Sequence, residues 1–206
     1  MMKSSLLAAN TKQKPILTNV VIVDPAKTVE LHSADSAIVG WGIDRTSKRM
    51  YFRDCVADRF YPDQLYDEMF AMVVRLKATI LAIEVTSLHE FIVQPIKNEM
   101  RKRGIFPLLL ELNATGKKEE RIAWLAPFYR QGYIYHNPAI CQKLEQQLLT
   151  FPRARKFDVM DAAAYIVKVM EKEAIYFDPV DLPDGADEYA ELENEPAFDQ
   201  TSCHRI

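Results

Sequence analysis

Three cysteines in 206 residues, Cys55, Cys141 and Cys203, are too few and too scattered for a disulfide framework, and no C-x-x-C pair offers a zinc knuckle. A reducing, cytoplasmic setting is the default for such a chain. No apolar run approaches the roughly 20 residues that cross a bilayer. The opening "MMKSSLLAAN" is too weak for a secretory leader. The four histidines lack H-E-x-x-H spacing and no G-x-S-x-G occurs, so neither a zinc protease nor a nucleophile elbow is indicated. No helix-turn-helix or zinc-finger pattern points to sequence-specific reading of bases.

What is present is a chain 49% hydrophobic, enough for one real core. Its net charge of -3 hides an asymmetry. From Asp178 onward there are nine acids and only Arg205 as a base, so residues 1–177 carry 25 Lys and Arg against 20 Asp and Glu. The body is mildly basic, which permits a polyanionic partner. We expect a linker or N-terminal extension over 1–18, one domain over 19–176, and an acidic, flexible tail over 177–206, either a solubilising end or a nucleic-acid mimic.

Apolar patterning predicts a strand over Asn19–Lys27 with Asp24 at its C-terminal end, then strands over Ser36–Asp44 and Arg49–Phe60. These three form an antiparallel meander. Helical spacing follows over Tyr61–Lys77, then a short apolar strand ending at Glu84. A helix over Leu88–Arg103, with an irregularity at Pro95, is closed by Gly104. "IFPLLLEL" is another strand. Helices are expected over Lys117–Gly132, from Pro138, and over Asp158–Glu173, with a short extended "YIYHN" after the first. The order implies an α/β fold with a mixed sheet and helices on its faces.

Three apolar elements end in carboxylates. Asp24 ends the first strand, Glu84 ends the fourth, and Asp158 and Asp161 open the last helix. Taken alone, the "DVMD" pair reads as a helix start, with an N-cap and a first-turn acid complementing the dipole. If the first and fourth strands are parallel neighbours, Asp24 and Glu84 emerge at one edge, and the i,i+3 pair Asp158 and Asp161 shares a helix face that can cover it. Clustered carboxylates repel unless some are protonated. Mg²⁺ or Mn²⁺, which prefer oxygen ligands, relieve that repulsion. Two such ions suit in-line displacement at phosphorus. Asp24 is then the bridging ligand, Glu84 holds one ion, and Asp161 with Asp158 the other.

"VIVDPA", "LAIEVTS", "GKKEERIAWLAPFYRQGYIYHN" and "LEQQLLTFPRARKFDVMDAAAY" together resemble the nuclease domain of the large terminase subunit of tailed phages, from about Asn19 to Lys172. That resemblance implies an RNase H-like fold close to the RuvC resolvases. It also implies catalytic metal-ligand roles for Asp24, Glu84 and Asp161, with Asp158 as a fourth. The activity it implies is a two-metal-ion endonuclease that cuts concatemeric double-stranded phage DNA during genome packaging. The implied partners are double-stranded DNA, a packaging ATPase domain, the portal and the small terminase subunit, in the host cell cytoplasm, with no membrane partner. The sequence departs from the family at Ile22, at Val85–Ser87 and at Phe157. The ATPase motif is absent, since "ATGKKE" has Lys118 in place of Ser or Thr and Glu111 in place of the first Gly. The chain therefore reads as a detached nuclease domain or one gene of a split subunit, with Met1–Thr18 leading from the motor side.

Duplex DNA is held chiefly through its phosphates. Arg153, Arg155 and Lys156, beside the acids, are the first candidates for that contact, and Lys117, Lys118 and Arg121 the second. Arg101, Lys102 and Arg103 form a third basic group, and any of the three can equally be a solvated face. Two rivals stay open: a RuvC-like Holliday junction resolvase with the same metal chemistry, and an inactive RNase H-like module that only binds DNA or protein.

Overall fold

The computed structural model describes residues 16–26, 35–85, 89–114, 116–153 and 156–175, with the side chains of 89–92 excepted. The tail expected over 177–206 and nearly all of the linker expected over 1–18 lie outside these residues.

The apolar runs become strands as their β-branched content predicts. Strands β1 (Thr18–Asp24), β2 (Ser36–Asp44) and β3 (Arg49–Asp58) form the meander. Helix α1 (Pro62–Leu76) leads to β4 (Ile80–Val85), which pairs parallel with β1. Helix α2 (His89–Arg103) leads to β5 (Leu108–Asn113), parallel with β4. Two short helices, α3 (Lys118–Ala123) and α4 (Leu125–Arg130), precede β6 (Ile134–His136), which pairs parallel with β3. Helices α5 (Gln142–Thr150), α6 (Asp158–Ala164) and α7 (Ile166–Lys172) follow. The sheet order is β5-β4-β1-β2-β3-β6.

Alternation along the strands divides the core. Val21 and Val23 of β1, Ile38 of β2 and Leu81 and Ile83 of β4 meet Met69, Phe70, Met72, Val73 and Leu76 of α1 and Val93, Ile96 and Met100 of α2. The opposite face carries α6, which packs on β1, β2 and β3. Ala162, Ala163 and Ala164 of α6 are fully buried. Such small side chains let its backbone lie close to the sheet.

Local chemistry explains the element ends. Pro62 opens α1 with its φ already suited to a helix. The Gln64 side chain accepts from the Tyr61 N–H at 3.1 Å, satisfying a free donor. Gly104 closes α2 with φ +68°, a left-handed position that costs glycine little. Helix α2 runs through Pro95 without interruption. The single helix expected over Lys117–Gly132 is instead two. Pro127 has no N–H for the Ala123 carbonyl, and the Trp124 N–H turns back to Arg121 O at 3.0 Å. The helix expected from Pro138 begins at Gln142, because the Ile140 and Cys141 N–H groups are spent on Asn137 O in a turn. The last helix divides at Tyr165, whose N–H bonds Ala162 O at 3.3 Å.

Candidate active site

Val23 lies opposite Ile83 in the parallel β1–β4 pair, so Asp24 and Glu84, one residue further on, leave the sheet at the same edge. Both residues are of intermediate burial. Their carboxyl groups are near enough that the charge of each bears on the other. Burial, then the charges of Glu84 and Asp161, push the Asp24 carboxyl well above the usual carboxylate range, against the pull of Lys118.

Helix α6 brings two more carboxylates. Asp158 and Asp161 are only 4% and 2% exposed, on one face of the helix. The start of α6 is fixed by Gln147 of α5, whose side-chain oxygen accepts from the Met160 N–H at 2.9 Å. Burial raises the Asp161 pKa, opposed by Arg121 and Lys118 and reinforced by Glu84. The four acids named from the sequence therefore surround one edge of the sheet.

Two cations of α3 stand among them. Lys118 Nζ is 2.8 Å from Asp158 Oδ1 and 3.4 Å from Asp161 Oδ2. Burial works against the Lys118 ammonium, but the hydrogen bond to Asp158 and the charges of Asp161, Asp158 and Asp24 hold its pKa above the ordinary lysine value. Arg121 grips Asp161 with both arms, Nε to Oδ1 at 3.0 Å and Nη2 to Oδ2 at 2.7 Å. Its guanidinium also lies over the Tyr165 ring at 5.3 Å.

Composition alone puts Arg121 and Lys118 on a phosphate-binding surface. The structure corrects the position of Arg121: it is buried, and its fork is spent on Asp161. Lys118 is half-buried against the acids, while Lys117 is exposed at the start of α3. Arg153 and Lys156 are exposed beside α6, with Lys156 Nζ 2.8 Å from Asp35 Oδ1. Arg155 lies outside the described residues. The Arg101–Arg103 group is largely engaged along α2: Arg101 bonds Asn98, Lys102 bonds Glu99, and Arg103 bonds Glu99 and Asp67.

Two residues of the site are not singled out by the sequence patterns above. The Tyr165 hydroxyl donates to Glu84 Oε2 at 2.7 Å and so fixes that carboxylate. Burial and this bond raise the phenol's pKa. A signal for it exists, since Tyr165 stands four residues after Asp161 on the same helix face. The Asp35 backbone N–H donates to Asp158 Oδ2 at 3.3 Å. Asp35 precedes β2, and only the antiparallel pairing of β2 with β1 returns it to the edge where Asp24 sits.

The donor set fits a hard cation at one place. Asp24 and Glu84 are adjacent and all-oxygen, and both residues are only partly buried, a donor set that suits Mg²⁺ or Mn²⁺. At Asp158 and Asp161 the negative charge is already met by Lys118 and Arg121. Among the described residues, no group of three or more His, Cys, Asp or Glu is arranged to hold a metal ion.

No family model and no curated protein matches the sequence. Among solved structures, the large terminase of a thermophilic bacteriophage superposes with a TM-score of 0.53 at 13% identity. That match covers 77% of this chain and 41% of the terminase, so the chain spans well under half of that protein. The Holliday junction resolvase of fowlpox virus gives a TM-score of 0.47 at 12% identity, covering 75% of this chain and 99% of the resolvase. The large terminase nuclease domain of bacteriophage SPP1, solved with bound Mn, gives 0.46 at 13% identity, covering 76% and 86%. Strand order, the parallel β1–β4 pair and the helices on both faces together establish an α/β fold of the RNase H-like kind, shared with the large terminase of the thermophilic phage.

Proposed function

We propose that the chain is a divalent-metal-dependent endonuclease that hydrolyses phosphodiester bonds of double-stranded DNA and cuts phage concatemers during genome packaging. The observation that carries this reading is the parallel β1–β4 register, which brings Asp24 and Glu84 out at one edge of the sheet, where the buried Asp158 and Asp161 of α6 also stand. The order of the acidic motifs along the chain and the likeness of fold to the thermophilic phage's large terminase support the packaging setting.

Held by Asp24 and Glu84, Mg²⁺ or Mn²⁺ would supply a water acidified toward neutral pH and a positive charge on the phosphoryl oxygen. The rest falls to the chain. Tyr165 keeps Glu84 turned toward Asp24 through its hydroxyl. Arg121 keeps Asp161 from turning toward solvent. Lys118, half-exposed at the rim, presents an ammonium for a phosphate oxygen. The two-ion arrangement expected from the sequence requires Asp161 and Asp158 to exchange Lys118 for a metal. Exposed Arg153, Lys156 and Lys117 extend the positive surface along the backbone of bound DNA. The packaging ATPase domain, the portal and the small terminase subunit are the partners this reading implies, in the host cell cytoplasm.

The test compares linear duplex, supercoiled plasmid and a four-way junction, each with Mg²⁺, Mn²⁺ or EDTA. Cutting of both duplex substrates with metal and none in EDTA is expected. Exclusive cutting of the junction would reassign the chain as a resolvase. No cutting, with no Mn²⁺ binding by calorimetry, would leave a binding module and end the nuclease reading.

A further inference from the structure

The end of the sheet remote from the acids carries a cavity of about 540 Å³. Thr18 is six residue steps from Asp24 along β1, about 20 Å at the rise of a strand. Thr18 pairs with Ile43, Ile43 with Met50, and Met50 with Ile134, so this end is built from the β2–β3 hairpin and β6. The cavity is lined by the Tyr51 and Tyr135 rings, by Leu17, Leu76 and Ile140, and by Arg53.

Its chemistry is aromatic and cationic together. The Tyr51 and Tyr135 rings lie 5.7 Å apart and 30° from parallel, and the Arg49 guanidinium lies over Tyr135 at 5.3 Å. Tyr135 is 42% exposed and Ile140 55%. Arg53 is fixed at the rim: its Nη1 donates to Asn19 Oδ1 at 2.8 Å, and Asn19 Nδ2 donates to Leu76 O at 2.8 Å. Gly42 makes room for this arrangement. A Cβ there would stand 2.9 Å from Leu17 Cδ1 and 3.0 Å from Arg53 Cδ.

Bases predominate here, although Glu145 lies beside the lining His136, 3.1 Å from its Nε2. Residues 45–53, "RTSKRMYFR", contain four bases and no acid. Of the flanking acids, Asp44 accepts from Thr46 and Ser47 at its own turn, and Asp54 is paired with Arg75. A volume in the range of small-ligand sites, about 300–1,000 Å³, suits one nucleotide rather than a helix or strand. Aromatic faces beside guanidinium groups are the means by which single strands are held without regard to sequence.

We propose that this cavity is a second nucleic-acid site, taking one unpaired nucleotide of a DNA strand with its base against Tyr51 and Tyr135 and its phosphates on Arg49 and Arg53. Tyr51 and Tyr135 are level with Asn19, two and three strands across the sheet from β1, a separation from the acids on the order of six nucleotides at the duplex rise of about 3.4 Å. DNA opened a few nucleotides from the scissile bond is therefore held at both ends of the sheet. The site needs no metal, so it stands apart from the hydrolytic reading.

The test is fluorescence anisotropy in EDTA, with labelled oligothymidylate and a duplex of equal length as separate probes. The wild-type chain binds the single strand. Tyr135→Ala weakens that binding at least about fivefold and leaves the duplex unchanged. Tyr135→Phe, which keeps the ring, binds as wild type. Arg49→Ala, at an exposed position, lowers the slope of log K against log salt by about 0.7 for the single strand, and keeps the test alive should Tyr135→Ala fail to fold. Four results would overturn the proposal: no single-strand binding by wild type, wild-type affinity in both Tyr135→Ala and Arg49→Ala, equal losses on single strand and duplex, or a change of oligomeric state in Tyr135→Ala by light scattering, which would make the face a contact between copies. Loss of metal-dependent cutting with single-strand binding intact would count against the hydrolytic reading alone.

Discussion

Arg121 holds Asp161 through both carboxylate oxygens, at 3.0 and 2.7 Å, with both residues buried. The planar guanidinium matches the carboxylate in a way a lysine cannot. Removing the arginine leaves the buried Asp161 charge without its hydrogen-bonded partner, with only the Lys118 ammonium 3.4 Å away. Arg121→Ala is therefore expected to lower the unfolding free energy by about 3–5 kcal/mol, read by urea denaturation in EDTA. Adding Asp161→Asn should restore part of the loss. A single variant as stable as wild type would mean that the clamp carries no structural weight.

Lys118 bears on metal stoichiometry. Its ammonium lies within 3.4 Å of both Asp158 and Asp161, so the free protein is expected to bind one Mn²⁺ per chain, at Asp24 and Glu84. In Lys118→Ala a second, weaker ion should appear in a calorimetric titration. Two ions already bound by the wild-type chain would contradict this order of occupancy.

The raised pKa of Asp24 makes a stability prediction of definite sign. Its folded pKa lies above the unfolded value of about 3.9. The stability it contributes is complete below that value and is lost as pH rises through the folded pKa. Asn keeps the shape and never ionises. Asp24→Asn should therefore melt above wild type in EDTA near neutral pH, with the gap closing as pH falls toward about 4. Mn²⁺ should raise the melting temperature of wild type and much less that of the variant. A variant less stable than wild type near neutral pH would show that Asp24 is not under charge repulsion.

Tyr165→Phe removes the hydroxyl that orients Glu84 and keeps the ring under Arg121. The lost bond should cost about 0.5–1.5 kcal/mol. Mn²⁺ affinity should fall about 10-fold or more, as when an outer partner of a metal ligand is removed. Unchanged affinity by calorimetry would relieve Tyr165 of any positioning role.

Much of this site is legible in residue patterns because the acids end apolar elements. A buried strand such as "NVVIVD" leaves Asp24 few places to go but the sheet edge, and the parallel alignment with "ILAIEV" then brings Glu84 beside it. Patterns mislead where packing decides. "KKEER" has the composition of a solvated helix face, and nothing local distinguishes Lys117, which is exposed, from Arg121, which is buried. Only the packing of α3 on α6 turns Lys118 and Arg121 inward. The break at Trp124 is within reach of the sequence, since Pro127 removes a helical donor. Asp35 is not, because its place depends on the register of β2 against β1.

The most direct measurement of the central claim is conversion of supercoiled plasmid by purified wild type and Asp24→Asn in Mn²⁺ and in EDTA. The account predicts nicked and linear product from the wild type with Mn²⁺ alone, and intact plasmid from the folded variant under both conditions. Cutting by Asp24→Asn at the wild-type rate, or by the wild type in EDTA, would contradict it.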